Sequence, residues 1–140
     1  MFLRPYVKKY DSFDGDPLIE IKSNGTVQQL DLSIPHYHLP IYDWVLCMEV
    51  LEHIPPEYED IAVDNLVRHA RLGIILSWAK QGQGGYEHVN ERNSDYVDEK
   101  MKSLCFKKDE KISKFLKDVA IYYWFKWNIS VYFRNQNCST

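Results

Sequence analysis

Two carboxylates and an imidazole follow a short apolar run in the first half of the chain. The run, residues 43–49, has the length and composition of a buried strand and ends in Glu49, and Glu52 and His53 come soon after it. In an open α/β sheet, ligands bind beyond the carboxyl ends of the strands. The three side chains could act as acid and base or hold a divalent metal ion. They could also only brace the start of the helix that the next proline pair predicts.

Two further predicted strands end in acidic residues. Asp14 follows residues 6–13, and Asp31 lies near the end of residues 26–32. Because the carboxyl ends of parallel strands meet at one edge of a sheet, we expect both carboxylates at the same edge as Glu49. There, one carboxylate can bind a pair of ribose hydroxyls, and another can accept a hydrogen bond from an exocyclic amine such as that of adenine. Asp14 and Asp31 could equally be ordinary turn residues.

A loop predicted over residues 80–92 supplies the remaining polar candidates. It contains His88, Asn90 and the run Gly82-Gln83-Gly84-Gly85. Because no apolar helical pattern starts directly after the glycines, they do not match a phosphate-binding loop. We interpret the segment as a flexible loop around a substrate pocket, and its histidine could join the carboxylate cluster. Trp78, just before the loop, could stack on a substrate or close the core.

Alternating strand and helix patterns predict a three-layer α/β sandwich with a mostly parallel sheet. Residues 18–25 allow a helix that begins after Asp16-Pro17, which we favour, or a hairpin closed by Asn24-Gly25. The helix that starts at Pro55-Pro56 should end at Gly73. The other predicted helices cover residues 18–23, 93–104 and 111–125, and the predicted strands cover residues 6–13, 26–32, 43–49, 73–79 and 128–134, with a short edge strand near Phe106.

Composition restricts the class of protein. The 140 residues suit one domain, and the net charge of −3 argues against a basic nucleic-acid groove. No apolar run is long enough to cross a bilayer and no signal-peptide core is visible, so a cytoplasmic location is the default expectation. Cys47, Cys105 and Cys138 are odd in number and widely spaced, which predicts neither a disulfide framework nor a zinc site. Cys47 should be a small buried hydrophobe. The aromatic residues at 122–125 and 127 should lie in the core.

The stretch from Tyr42 to Pro55 resembles the fourth-strand motif of the class I S-adenosylmethionine-dependent methyltransferases, type 11-like. In that family an aspartate opens the strand, and a run similar to Glu-Val-Leu-Glu-His-Ile-Pro closes it, as Asp43 and residues 49–55 do here. The similarity extends to other segments of the family's sheet, namely Phe13-Asp14-Gly15, Leu30-Asp31-Leu32, residues 73–79 and His88-Val89-Asn90.

The resemblance implies a Rossmann-like methyltransferase sandwich that binds S-adenosylmethionine, with residues 1–140 as a partial domain. The motif itself indicates little about the substrate. We expect a small-molecule acceptor, and the charge and the apolar runs described above predict neither nucleic acid nor membrane as a partner. A subset of the family binds a divalent metal through a Glu-x-x-Glu-His run like residues 49–53, although no metal is our default expectation. The implied site comprises cofactor contacts at Asp14, Gly15, Asp31, Leu32 and Glu49, catalytic roles for Glu52 and His53, and substrate contacts at Trp78, His88 and Asn90.

One element of the family pattern is missing. A first strand and a Gly-x-Gly-x-Gly loop should precede Asp14, yet Gly15 is the first glycine of the sequence. We therefore expect a sandwich without its first strand and helix at the N-terminus. Two functions stay open: methyl transfer to an unidentified acceptor, or a non-catalytic methyltransferase-like remnant without the glycine-rich cofactor loop.

Overall fold

The structure is a computed structural model that describes residues 6–138. The chain forms two compact units, the first ending at Leu32 and the second beginning at Ser33. Within the described residues, no helix has both the length and the apolar character needed to cross a membrane.

The first unit is a parallel pair of short strands joined by one helical turn. β1 (Phe13–Asp14) pairs with β2 (Gln28–Gln29), and α1 (Ile19–Lys22) connects them. The helical turn over Ile19–Lys22 confirms the predicted helix and excludes the hairpin, which needs these residues in a strand. The strands predicted over residues 6–13 and 26–32 are wrong in extent. Only Phe13 of the first segment, and Gln28 and Gln29 of the second, take part in the ladder.

The second unit contains a four-stranded sheet. Its strands are β3 (Tyr42–Met48), β4 (Ala70–Ser77), β5 (Phe106–Lys108) and β6 (Ile129–Arg134), in the order β3-β4-β6-β5. β3 and β4 are parallel, whereas β6 is antiparallel to both β4 and β5. The α/β class is confirmed, but the prediction of a mostly parallel sheet is wrong for this unit. The connection from β5 re-enters the sheet at the end where it left, which reverses the direction of β6.

Helices follow three of these strands. The helix predicted over residues 111–125 is wrong at its end, because Ala120 leaves the helical region with a ψ of 132°. The observed helices are α2 (Glu59–His69), α3 (Ser94–Ser103), α4 (Glu110–Val119) and α5 (Phe125–Asn128), and two 3-10 turns, Leu51–His53 and Pro56–Tyr58, precede α2.

Gly73 lies inside β4 and ends no helix. α2 stops at His69, and β4 begins at the next residue, Ala70. A Cβ atom at Gly73 would lie 2.4 Å from the Trp44 ring and 2.6 Å from the carbonyl oxygen of Tyr132. The predicted helix stop is therefore wrong. A glycine is needed here because the Trp44 side chain of β3 and the Tyr132 backbone of β6 approach β4 too closely for a Cβ atom.

β4 and β6 form the centre of the core. Ile74 and Leu76 on β4, and Val131 and Tyr132 on β6, are each at most 2% exposed. Neighbouring residues of a strand point to opposite faces, so both faces of β6 are covered. Phe133, on the same face as Val131 but near the end of the strand, is 38% exposed.

The aromatic segment after α4 lies largely outside the core. Tyr122, Tyr123 and Trp127 are 57%, 56% and 45% exposed. These rings pack mainly on one another: Tyr122 stacks on Trp124 at 4.8 Å, and Tyr123 meets Trp127 edge-on at 5.2 Å. The core assignment is wrong for these residues because the helix break after Val119 removes the helical spacing on which it depended.

Cys105 and Cys138 form a disulfide, which corrects the prediction that the cysteines belong to no disulfide framework. Their separation in sequence is misleading because the chain beyond β6 returns to β5, where the backbone N–H of Asn135 donates to the carbonyl of Cys105 at 2.7 Å. Cys47 is the free cysteine and is 3% exposed, as predicted. Burial raises the pKa of its thiol to about 12.

Candidate active site

Glu49 directly follows β3 and turns the chain sharply. Its φ is 53°, in the left-handed region that few side chains adopt. The backbone N–H of Glu49 donates to the hydroxyl of Ser77 at 2.8 Å, which fixes the turn to the end of β4. The carboxylate accepts from Asn128 Nδ2 at 2.7 Å and from Gln83 Nε2 at 3.1 Å. Two amides therefore hold Glu49 half-buried at the carboxyl ends of the parallel strands.

Glu52 lies in the 3-10 turn and is completely buried, with 0% exposure. Among residues 6–138, neither of its carboxylate oxygens has a hydrogen-bond partner. Burial raises the pKa of Glu52 to about 7, and the negative charge of Glu49 adds to that rise. A buried carboxylate without a partner is costly to keep, so its position calls for a functional explanation.

Two histidines complete the cluster around Glu52. Glu52, His53 and His88 each offer one atom that could bind a metal ion, and these three atoms lie within 4.8 Å of one another. The two imidazole rings meet edge-on, with centroids 5.0 Å apart. His53 Nδ1 contacts the carbonyl oxygen of Glu87 at 3.2 Å, and His88 Nδ1 contacts Glu91 Oε1 at 2.9 Å. In both rings Nε2 is thereby the nitrogen left for a ligand.

The predicted loop, residues 80–92, is tied to the 3-10 turn by backbone hydrogen bonds. The N–H groups of Val89 and Asn90 both donate to the carbonyl oxygen of Glu52, at 2.9 and 3.0 Å. Gly82 and Gly84 donate to the carboxylate of Glu91, each at 2.8 Å. The base of the loop is thus ordered, and the prediction that this segment borders the site agrees with its contacts.

Trp78 and Asn90 form a buried support beneath the loop, each 3% exposed. The indole N–H of Trp78 donates to the carbonyl oxygen of Asn90 at 2.7 Å, and Asn90 Nδ2 donates to Glu59 Oε2 at 2.9 Å. Of the two interpretations of Trp78, this geometry favours the one in which it closes the core. Substrate contacts at Trp78, His88 and Asn90 stay predictions.

Glu59 is the hub of that support. It is 3% exposed, and it binds Arg92 at 2.9 Å, Lys100 at 2.7 Å and the hydroxyl of Tyr96. Burial opposes ionisation of Glu59, but hydrogen bonds from Lys100, Tyr96, Asn90 and Arg92 outweigh it and lower the pKa to about 2. Glu59 therefore stays charged and connects α2 to the chain that leads into α3.

The remaining cofactor candidates belong to the first unit. Asp14 and Gly15 are exposed, and Asp14 Oδ1 accepts from the backbone N–H of Asp16 at 2.9 Å, as an aspartate in a turn does. Asp31 is exposed and Leu32 is half-buried. Their cofactor contacts stay predictions, as does that of Glu49.

The second unit brings together Glu49, Glu52, His53 and His88, as the sequence-based cluster requires. Sequence reasoning missed the residues that hold them: Gln83, Glu91 and Asn128. The sequence could have indicated the role of Glu91, because this residue follows His88 by three positions in a glycine-rich loop. Asn128 had none, because 79 positions separate it from the Glu49 carboxylate that it binds.

No family model and no curated protein matches this chain. Solved structures do match. Magnesium protoporphyrin IX methyltransferase (ChlM) from Synechocystis, with bound S-adenosylhomocysteine, is similar over 84% of this chain and 59% of its own, at 17% identity and a TM-score of 0.58. LepI in complex with S-adenosylmethionine is similar over 96% of this chain and 39% of its own, at 11% identity and a TM-score of 0.59.

A third structure, a candidate methyltransferase from Bacillus halodurans, is similar over 94% of this chain and 84% of its own, at 16% identity and a TM-score of 0.54. This chain thus spans about three-fifths of ChlM and about two-fifths of LepI. These three matches show that the chain has the fold of the class I S-adenosylmethionine-dependent methyltransferases.

Proposed function

We propose that this chain takes part in methyl transfer from S-adenosylmethionine to a small-molecule acceptor. The observation that carries the proposal is Glu52: a buried carboxylate without a partner, beside His53 and His88, three residues past the rim at Glu49. The methyltransferase fold and the cofactors bound by ChlM and LepI support the choice of cofactor. The name of ChlM, a magnesium protoporphyrin IX methyltransferase, supports a small-molecule acceptor.

Methyl transfer requires alignment of a nucleophile with the sulfonium methyl group and removal of the proton that the nucleophile carries. The carboxylate of Glu52 is suited to accept that proton, with His53 as its exposed neighbour. His88 is then the acceptor-side contact, and the buried Trp78 and Asn90, first predicted as substrate contacts, act by supporting the loop that carries it. The proposed cofactor contact at this rim is Glu49, and Asp14, Gly15, Asp31 and Leu32 of the first unit stay predictions that the resemblance implies.

Cofactor binding is the first prediction. Titration of the protein with S-adenosylhomocysteine in a calorimeter should give a dissociation constant below about 1 mM. Glu49→Ala should weaken that binding by at least about tenfold, a loss of roughly 1.4 kcal/mol. Asp43→Asn is the matched control, because Asp43 is an exposed carboxylate at the opposite end of β3, paired with Arg71. If the wild-type chain binds no S-adenosylhomocysteine, the interpretation as a non-catalytic remnant replaces the interpretation as an enzyme.

The cluster of Glu52, His53 and His88 also fits a divalent metal ion. Two imidazoles and one carboxylate suit borderline ions such as Zn²⁺, Co²⁺ or Mn²⁺ better than Mg²⁺ or Ca²⁺. The free Nε2 atoms and the unpartnered carboxylate support this choice over the metal-free default. A bound divalent ion would supply Lewis acidity and lower the pKa of an acceptor hydroxyl.

Metal binding is the second prediction. Addition of Co²⁺ to the metal-free protein should produce visible absorption bands at one ion per chain, and Mg²⁺ should bind at least roughly 100-fold more weakly. Glu52→Gln and His88→Gln should each lower the Co²⁺ affinity by at least about 100-fold. His38→Gln, which removes an exposed imidazole outside the cluster, should leave it unchanged. Equal Co²⁺ affinity in all variants would refute the site.

A further inference from the structure

Glu91 makes more contacts near the cluster than any sequence pattern suggests. Its Oε1 accepts from the N–H of Gly84 at 2.8 Å and contacts His88 Nδ1 at 2.9 Å, while its Oε2 accepts from the N–H of Gly82 at 2.8 Å. One side chain, 19% exposed, thereby determines both the path of the glycine loop and the orientation of His88.

The contact to His88 has a chemical consequence. A carboxylate oxygen only accepts hydrogen bonds when ionised, so His88 Nδ1 must carry the proton in this contact. The neutral ring then keeps its lone pair on Nε2. His53 has the same arrangement, since its Nδ1 contacts a carbonyl oxygen of Glu87, which also only accepts. Both rings are thus held in one tautomer.

Gly85 provides a second, independent observation. A Cβ atom at this position would lie 2.2 Å from His88 Nε2 and 2.4 Å from Cε1. The same Cβ atom would lie 2.6 Å from Cδ2, so it would sit over the face of the ring and not in line with the Nε2 lone pair. Any side chain at residue 85 would therefore push the ring out of its position beside Glu91.

We propose that Glu91 and Gly85 are positioning residues that hold the His88 ring beside Glu52 as the Nδ1–H tautomer, which leaves the Nε2 lone pair to a ligand. Glu91 acts through the Nδ1 contact, and Gly85 acts by leaving space for the face of the ring. The role of that nitrogen at the acceptor or a metal rests on the proposed function, whereas the tautomer itself is a property of this chain.

Two-bond ¹H–¹⁵N spectra of the metal-free protein at about pH 8.5, where free imidazole is neutral, report the tautomer directly. Wild-type His88 should show the Nδ1–H pattern. Glu91→Ala should shift it toward the Nε2–H pattern and weaken Co²⁺ binding roughly 10- to 100-fold. Glu91→Gln should restore much of both, since an amide oxygen still accepts from Nδ1. Gly85→Ala should displace the ring and likewise weaken Co²⁺ binding.

Glu87→Ala is the matched control, because its side chain is exposed in the same loop and only its backbone contacts the cluster. It should leave the His88 pattern and the Co²⁺ affinity unchanged. An unaltered Nδ1–H pattern in Glu91→Ala, in a protein that melts as wild type does, overturns the inference. If wild type binds no Co²⁺ but the tautomer shifts as expected, the metal proposal fails and the positioning role of Glu91 stands.

Discussion

Glu59→Gln is expected to destabilise the protein by roughly 3–5 kcal/mol at neutral pH, the usual cost of breaking a buried ion pair on one side. Arg92 and Lys100 would lose their shared carboxylate in a site where Glu59 is 3% exposed. The amide could still accept hydrogen bonds, but it could not balance the two charges. Urea unfolding followed by circular dichroism measures the loss directly.

The effect should depend on pH in a defined direction. The pKa of Glu59 falls from an ordinary value of 4.5 to about 2 in the folded protein. A lowered carboxyl pKa contributes stability above pH 4.5, and that contribution disappears as the pH falls toward 2. The difference between wild type and Glu59→Gln should therefore be largest above about pH 5 and shrink on acidification.

Asp60→Asn is the matched control for Glu59. Asp60 also binds Lys100, at 2.6 Å, but its side chain is 91% exposed. Exposed pairs contribute little, so we expect a change of less than about 1 kcal/mol. Equal losses for the two variants would show that burial of the Glu59 network adds nothing to its strength.

Glu52→Gln, unlike Glu59→Gln, is expected to increase the stability of the metal-free protein. The pKa of Glu52 rises from 4.5 to about 7 on folding, so the folded state favours the protonated carboxyl. Below pH 4.5 this preference does not reduce the stability of the folded protein. The loss of stability grows as the pH rises from 4.5 toward 7, and it reaches its full size above pH 7. Removal of the charge should stabilise the chelator-treated protein by up to about 3 kcal/mol at pH 8.

At pH 4.5 the same variant should show almost no gain, and Glu57→Gln, an exposed neighbour, should show none at either pH. Addition of Co²⁺ should reverse the order of the melting temperatures, because the ion stabilises only the protein that binds it. A Glu52→Gln variant less stable than wild type at pH 8 without metal would mean that the carboxylate has an unseen favourable partner.

The sequence was most informative where a strand and the reactive side chains next to it lie in one continuous segment. The apolar run and the charged residues after it predicted β3 and the cluster of Glu49, Glu52 and His53, because strand and site are contiguous. The sequence failed where distant contacts decide the outcome. Gly73 has the local features of a helix stop, yet the Trp44 ring across the sheet requires it.

The same limit explains the remaining errors. Tyr122 and Tyr123 have helical spacing in the sequence, but the chain leaves the helix at Ala120 and their rings become exposed. The disulfide of Cys105 with Cys138 depends on where the chain goes after β6, which spacing in sequence does not reveal. Asn128 reaches Glu49 only because β6 lies beside β4.

The shared acceptor at Glu52 determines how the site can open. Its carbonyl oxygen receives the N–H groups of Val89 and Asn90, so the base of the loop and the 3-10 turn must move together. Lifting that base would pull the carboxylate out of register with both imidazoles. The outer part of the loop is held as well, by the contacts of Gly82 and Gly84 with Glu91 and of the Glu87 carbonyl with His53. The loop and the cluster should therefore move as one unit when the site opens, which preserves the arrangement of the reacting groups.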